Sequence, residues 1–209
     1  MRTVLVANRK GGCGKTLVAV TLAAALAGRG GSVALADADP QKSALRWLKL
    51  RPPVAAPIRG LDWTHAAQVG DTPKRLDWLV IDAPGALAGD DAQALIAEAE
   101  AVITPVMPSY FDEDSTRRFL REIEDLKRVR KGKVGVHLLA NRVRAQARAA
   151  ERLRGFFARL GQEPLAWIAE RAIYADLAEQ GLSVFDRPQR ALAPVRAQWA
   201  PVTAMLDGA

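Results

Sequence analysis

The stretch from residue 4 to residue 16 limits what this chain can fold into more than any other. Val4-Leu5-Val6-Ala7-Asn8 is a continuous apolar run of the kind that forms a buried strand, and Lys15 opens a helical pattern. Between them stands Arg9-Lys10-Gly11-Gly12-Cys13-Gly14-Lys15-Thr16. Glycines let the backbone turn tightly and aim successive N–H groups at an anion, and the helix behind them adds its positive end. On this reading Gly11, Gly12, Cys13 and Gly14 cradle phosphate oxygens, Lys15 reaches the β- and γ-phosphates, and the Thr16 hydroxyl ligates Mg²⁺. The strict form of such a loop, G-x-x-x-x-G-K-[ST], is broken only at its first glycine, where Arg9 stands.

The rest of the chain has the rhythm that such a loop requires. Apolar runs at residues 3–7, 32–36, 78–81, 101–106, 134–140 and 164–168 alternate with helical patterns at 15–27, 41–48, 91–98, 114–129, 144–160 and 173–180. The runs are continuously apolar rather than alternating, as strands are when helices cover both faces. The expected fold is α/β: a doubly wound, mostly parallel sheet flanked by helices. With 209 residues, no low-complexity linker and no internal repeat, residues 1–209 are read as one domain. The least readable part is 51–75, which opens with Pro52, Pro53 and Pro57. One cysteine excludes a disulfide framework, and His65 and His137 have no metal-ligand spacing around them. No apolar run reaches the roughly 18 residues of a membrane span, and the N-terminus breaks into glycines too early for a signal peptide. A cytoplasmic location is expected.

With Lys10 early in the loop, Lys-Gly-Gly-x-Gly-Lys-Thr resembles the deviant Walker A box of the ParA/MinD class of P-loop ATPases. The resemblance implies the P-loop NTPase fold, ATP and Mg²⁺ as cofactors, and an ATP-dependent sandwich homodimer. In that dimer Lys10 crosses to the partner's nucleotide and stabilises the charge spreading over the transferred phosphoryl group. Further matches follow in chain order. Asp37-Ala38-Asp39-Pro40-Gln41 is similar to the D-x-D-P-Q switch, which implies that Asp39 orients the attacking water and Asp37 supports the metal site. The residue-level alternative is a turn that caps the helix at Gln41. Asp82, ending an apolar run before Ala83-Pro84-Gly85, resembles a Walker B carboxylate reaching Mg²⁺. Thr104-Pro105-Val106-Met107-Pro108-Ser109 resembles a segment that borders the dimer interface, or is a plain proline-punctuated loop. Asn141 matches the asparagine that reads the adenine edge, with a helix N-cap as its other reading. Glu170-Arg171-Ala172-Ile173-Tyr174 and Gly181-Leu182-Ser183-Val184-Phe185 look like late stretches of the same class. Leu17 stands where many relatives have a second threonine beside the α-phosphate, so weaker nucleotide binding is expected. Arg9 replaces a usually small or amide residue and could alter the dimer's fit. The loop begins at residue 9, so no extension that reads DNA sequence is expected before it. A single cysteine also falls short of the two thiolates per subunit that the iron–sulfur reductases of this class need.

Charge bears on the surface this chain rides on. The whole sequence has a formal charge of +7, and residues 117–159 hold fourteen Lys or Arg against four Asp or Glu. A belt of this kind suits non-specific contact with DNA phosphates, or is a solvated helix face. Arg144, Arg148 and Arg152 recur every fourth residue and are expected on one helix face; Arg187, Arg190 and Arg196 are further DNA candidates by resemblance. The tail, 191–209, has one basic residue and two internal prolines, and is expected to pack on the sheet rather than anchor to a membrane. The expected role is a nucleoid-associated ATPase that partitions or positions a plasmid, chromosome region or protein cargo through a ParB-like or other cargo-adaptor partner; the alternative is a MinD-like membrane-associated positioning ATPase. Trp47, Trp63, Trp78, Trp167 and Trp199 are read as gap fillers rather than base-stacking platforms. Cys13 is read as a tolerated small residue, with an oxidisable thiol at a helix N-terminus as the alternative.

Overall fold

The computed structural model describes all residues except 66–68, 86, 88, 145 and 209. Seven strands form one sheet: β1 (Arg2–Val6), β2 (Val33–Asp37), β3 (Arg59–Asp62), β4 (Trp78–Asp82), β5 (Ala101–Val106), β6 (Gly135–Val143) and β7 (Trp167–Ala169). Their order is β3-β2-β4-β1-β5-β6-β7, and every pairing is parallel. The helices are α1 (Lys15–Ala27), α2 (Ser43–Leu50), α3 (Gly89–Glu98), α4 (Tyr110–Glu124), α5 (Lys127–Arg130), α6 (Arg148–Leu160), α7 (Ile173–Ala178), α8 (Ala193–Ala197) and α9 (Ala200–Gly208).

The physics of the core follows from the apolar runs. The residues of β2 and β5 are buried throughout, so helices must cover both faces of the sheet. α1, apolar nearly all round, lies inside one layer and shares a core cluster with Trp47 of α2, Tyr174 of α7 and Trp199, Val202 and Leu206 of the C-terminal helices. The opposite face packs Leu5, Leu79 and Ile81 against α3 and α4, through Leu95, Ile96, Phe119 and Ile123. Trp47, Trp63 and Trp199 are buried. The Trp199 indole donates to the Tyr174 hydroxyl at 2.9 Å, as a filled gap between layers requires.

Several expected boundaries move. β3 lies inside the unreadable segment, part of which (66–68) is outside the described residues. It pairs only with β2 and is half exposed, so Arg59-Gly60-Leu61-Asp62 never forms an apolar run. α2 starts at Ser43 rather than 41, because Lys42 sits at a left-handed φ of 52°. The pattern at 114–129 begins earlier, with Ser109 accepting from the Asp112 N–H as N-cap, and breaks into α4 and α5. β6 runs on to Val143, and α6 starts only at Arg148. Arg144 is therefore not on a helix face with Arg148 and Arg152, and residue 145 of the expected 144–160 helix is outside the described residues. The last expected run, 164–168, shifts to β7. The tail forms α9, which buries Val202, Thr203 and Leu206; its final residue, 209, is not described.

Candidate functional site

Parallel strands gather their following loops at one edge of the sheet, which is where open α/β folds bind ligands. The loop 9–14 leaves β1 between β4 and β5, and Asp37 and Asp82 end the two strands to one side of it. Those aspartates sit directly opposite one another in register, and Asp82 is also opposite Val6.

Within the loop the two lysines differ. Lys15 is buried at 6% exposure, and its ammonium donates to the Lys10 carbonyl at 3.1 Å. Lys10 is half exposed, and among the described residues its ammonium is held only by the adjacent Gly11 carbonyl at 3.1 Å. The loop is pinned by side chains from distant strands. Asn8 donates to the Pro105 carbonyl at 2.9 Å and to the Thr116 hydroxyl at 2.8 Å, and its own oxygen accepts from the Lys10 N–H at 3.3 Å. Asn141 donates to the Cys13 carbonyl at 2.8 Å. Gly14 has φ +90°, and a Cβ there would stand 2.5 Å from the Asn141 amide nitrogen, so only glycine fits. Asn141 is the last-but-two residue of β6 and does not cap a helix; the residue before α6 is Ala147. Sequence reading missed Asn8, whose partners lie about a hundred residues away. Arg9, the departure from the usual loop, pairs with Glu122 of α4 at 3.4 Å, and Glu122 also accepts from the Gly89 N–H at 2.7 Å.

The Cys13 thiol is fully buried, and desolvation pushes its pKa up against the pull of Lys15. Its thiol donates to the Lys10 carbonyl at 3.2 Å, and this burial favours the reading as a small packed residue over an oxidisable one.

Asp37 and Asp39, at the end of β2 and just after it, are both committed to hydrogen bonds. Asp37 accepts from the Asp39 N–H at 3.1 Å and the Leu45 N–H at 3.0 Å. Asp39 accepts from the Gln41 N–H at 2.8 Å and from the Gly85 N–H at 3.1 Å. It therefore makes the local turn expected of it and also joins the two segments that follow β2 and β4. Asp82 is different: it is fully buried and neither carboxylate oxygen has a hydrogen-bond partner among the described residues. Burial is the main reason its pKa is pushed up to about 7; the Thr16 hydroxyl and Lys15 pull it down, while Asp37 and Asp39 push it up. A buried, unpartnered carboxylate facing a threonine hydroxyl suits a hard cation that keeps water and phosphate oxygens as its other ligands. Among the described residues no three His, Cys, Asp or Glu side chains cluster as an all-protein cage. Such a cation would be held jointly with a bound phosphate.

A stability consequence follows. The folded chain keeps a proton on Asp82 that the unfolded chain, with the ordinary value of 3.8, releases. The folded state then binds more protons, so stability of the ligand-free protein falls as pH rises from about 4 to about 7 and levels off above. The raised value of Asp37, also from burial, acts in the same direction. Asp82→Asn is expected to raise the melting temperature at pH 8 and to flatten this slope, while losing Mg²⁺-dependent nucleotide binding. Thermal melts at pH 5 and pH 8 check it; a lower melting temperature at pH 8 would contradict the cost assigned to this carboxylate.

On the other side of the loop a cleft of about 570 Å³ is lined by Leu17, Asn141, Arg142, Arg144, Glu170 and Tyr174, among others. Leu17 thus contributes an apolar wall to this cleft. Arg144 pairs with Glu170 at 2.5 Å, at the mouth of the cleft.

The arginine candidates separate. Arg148, Arg152 and Arg190 are exposed and make no ion pair or hydrogen bond among the described residues. Arg187 donates to Gln180 at 3.2 Å. Arg196 donates to the carbonyls of Arg187, Pro188 and Gln189. The Lys127–Arg130 helix and Lys131 and Lys133 precede β6, whereas Arg148 follows it, so these two basic clusters start from opposite edges of the sheet. Arg117 and Arg121 of α4 and Arg159 of α6 line one groove, with Val136 of β6 also in its wall.

Comparisons with known proteins agree with this arrangement. Residues 4–184 match the CobQ/CobB/MinD/ParA nucleotide binding domain. The chain is 30% identical over 188 residues to the maintenance of carboxysome distribution protein A of Halothiobacillus neapolitanus, covering 88% of this chain and 86% of that protein. It is 30% identical over 191 residues to the chromosome-partitioning ATPase Soj of Thermus thermophilus, covering 71% and 76% respectively. Among solved structures, apo McdA of Cyanothece shares the fold with a TM-score of 0.80 over 99% of both chains, at 19% identity. The all-parallel seven-stranded sheet, the glycine-rich loop and the sequence match together make this chain a member of the CobQ/CobB/MinD/ParA family of nucleotide-binding domains.

Proposed function

We propose that the 209 residues work as a single ParA-like ATPase domain whose ATP-bound form is a sandwich dimer that binds DNA non-specifically and positions a cargo. The observation that supports this reading is the contrast between the two loop lysines: Lys15 is buried inside the loop, whereas Lys10 is half exposed and its ammonium bonds, among the described residues, to a neighbouring carbonyl alone. In this reading Lys15 serves its own nucleotide and Lys10 a nucleotide across the dimer interface. In this reading Gly11, Gly12, Cys13, Gly14, Lys15, Thr16 and Leu17 hold the nucleotide, with Asn141 bracing the loop. Thr16 and Asp82 hold Mg²⁺, and Asp37 supports them by fixing the switch turn. When bound, Mg²⁺ neutralises charge on the β- and γ-oxygens. Asp39 orients the attacking water once the γ-phosphate draws the Gly85 N–H away from it. The location is cytoplasmic and nucleoid-associated, and turnover is weak until a ParB-like or other cargo adaptor stimulates it. One relative is named for carboxysome distribution and another for chromosome partitioning, so the cargo is either a protein body or a replicon.

DNA is favoured over a membrane surface by the distribution of charge. Arg121 of α4 and Arg148 and Arg152 of α6 are exposed and make no ion pair among the described residues, while Arg118, Arg154 and Arg159 are paired; α9, by contrast, has no basic residue and turns its apolar residues inward. No helix among the described residues is long and apolar enough to cross a membrane. The test is binding to unrelated duplexes with ATP, ADP or no nucleotide, across a salt series. Binding that needs ATP, ignores sequence and falls steeply with salt is expected. Binding to lipid vesicles with ATP, and to no duplex, would replace this reading with the membrane one.

A further inference from the structure

The groove between α4 and α6 joins an apolar seam to a cluster of cations. Its volume is about 450 Å³, and Leu120, Val129, Val136 and Leu160 in its wall are each only partly buried. Leu120 packs against both core clusters that meet there, so the groove is an open seam between them. Arg117 and Arg121, one turn apart on α4, and Arg159 of α6 stand around these apolar side chains. Arg117 leans over the Phe156 ring at 5.8 Å. Among the described residues Arg117 and Arg121 make no ion pair, and Arg159 makes one, with Glu113 at 3.8 Å. The acidic side chain in the wall is Glu124. At the α5 end, Arg130, Lys131 and Lys133 are exposed and make no ion pair among the described residues.

The groove lies at the far edge of the sheet from the phosphate loop. Its walls are the last two turns of α4, the end of α6, the short α5 and the second residue of β6. In a parallel sheet these parts gather where strands begin rather than where they end. A ligand held here leaves the loop at residues 9–14 clear. We propose that this groove docks an acidic amphipathic helix of a partner protein, its Leu or Ile side chains on the apolar seam and its carboxylates on the arginines. This rests on the proposed reading that a partner protein acts on this chain, and not on the dimer or on DNA binding.

The seam decides the class of partner. DNA phosphates would satisfy the arginines but give the four apolar side chains nothing to pack against. A lipid surface takes apolar side chains that project outward, whereas these line a groove. A second copy offers Asp90 and Asp91 on α3, but the apolar face of that helix is buried in its own core through Ala92, Leu95 and Ile96. A third helix laid between two others buries a stripe of its own, and Arg117, Leu120, Arg121 and Glu124 repeat the matching spacing of three and four along α4. Three guanidiniums against one carboxylate make acidic flanks on that helix the complementary charge. Arg148 and Arg152, the DNA candidates of α6, lie outside the groove's wall.

The test is fluorescence anisotropy on the intact chain with a labelled synthetic helix of about 18 residues, Leu on one face and Glu on the other. An isomer with the same residues scattered is the control. The wild type is expected to bind the segregated helix about tenfold more tightly than the scattered one, equally with ATP, ADP or no nucleotide. Arg121→Glu should weaken this binding about tenfold and Leu160→Gln about fivefold, in protein shown by melting to be folded. Arg148→Glu, outside the groove, should change it less than about twofold. Equal affinity for the two isomers, or unchanged binding in Arg121→Glu and Leu160→Gln, would overturn the docking site and leave these arginines as complements of the helix C-termini. A duplex that displaces the peptide, with Arg121→Glu weakening both alike, would replace the inference with a DNA surface. Protein that holds the peptide but no duplex keeps this inference and overturns the DNA reading; protein that holds neither overturns both.

Discussion

Lys10→Ala is expected to bind ATP as a monomer about as well as the wild type and to lose turnover almost completely. Everything Lys10 does for the loop is done by its backbone. Its carbonyl accepts from the Lys15 ammonium at 3.1 Å and the Cys13 thiol at 3.2 Å, and its N–H donates to Asn8. Alanine keeps all three. What it removes is an ammonium whose one bond among the described residues is to the neighbouring Gly11 carbonyl. A cation delivered to the transferred phosphoryl group in trans accelerates hydrolysis by about 10³- to 10⁵-fold in comparable enzymes, and the loss should have that size. Turnover with Mg²⁺-ATP and duplex DNA, followed over a range of protein concentrations, supplies the measurement. Mixing separates an in-trans lysine from an in-cis one. Asp39→Ala subunits retain Lys10 but lack the residue that orients water, so neither variant turns over alone. Mixed dimers should recover part of the rate, because each Lys10→Ala site then meets a partner with an intact lysine. If Lys10→Ala alone keeps its turnover, or mixing restores nothing, the lysine does not act across an interface.

The contrast between what was legible in the sequence and what was not follows from the range of the interactions. The central strands could be read because burial on both faces demands unbroken apolar runs, and the loop because its glycines and lysines are contiguous. β3 could not: an edge strand with one neighbour has no need for an apolar run, and Gly60 and Asp62 read as loop. Arg144 was misplaced because a spacing of four fits a helix as well as a strand end followed by a turn. The left-handed conformation of Arg142, at the irregularity near the end of β6, has no sequence signal in an arginine. Asn141 illustrates a further limit. Its place late in an apolar run was legible, but its bond to the Cys13 carbonyl, 128 residues away, was not. Pairings of that kind depend on the sheet order, which apolar periodicity does not specify.

The pairing of Arg51 with Asp186, 135 residues apart, carries the largest expected effect on stability. Both side chains are 5% exposed and joined by two bonds, at 2.7 and 2.9 Å. Arg51 also donates to the Ala56 carbonyl at 2.9 Å and the Gly181 carbonyl at 3.2 Å, and lies over the Trp47 ring. Asp186 completes a capping box with Ser183, so one carboxylate fastens the turn at residues 183–186 to the end of α2. Gly181 belongs to the same clasp: at φ +66°, a Cβ there would lie 2.4 Å from the backbone of Leu50 and Arg51. Because the 3₁₀ turn Val184–Asp186 packs against α1, the helix that supports the phosphate loop, loosening the clasp should destabilise the whole domain rather than fray an end. Arg51→Ala leaves a buried carboxylate without its cation, which costs about 3–5 kcal/mol. In a chain of this size that lowers the melting temperature by roughly 6–20 °C. Arg51→Lys keeps the charge but not the planar fork, and should fall between the wild type and alanine. Since removing both partners costs less than stranding one, Arg51→Met combined with Asp186→Leu should recover part of the loss. Calorimetric melts of the four proteins decide the matter: a melting temperature for Arg51→Ala within 2 °C or so of the wild type would mean that the apolar layer beneath α1, and not this ion pair, holds the late loop in place.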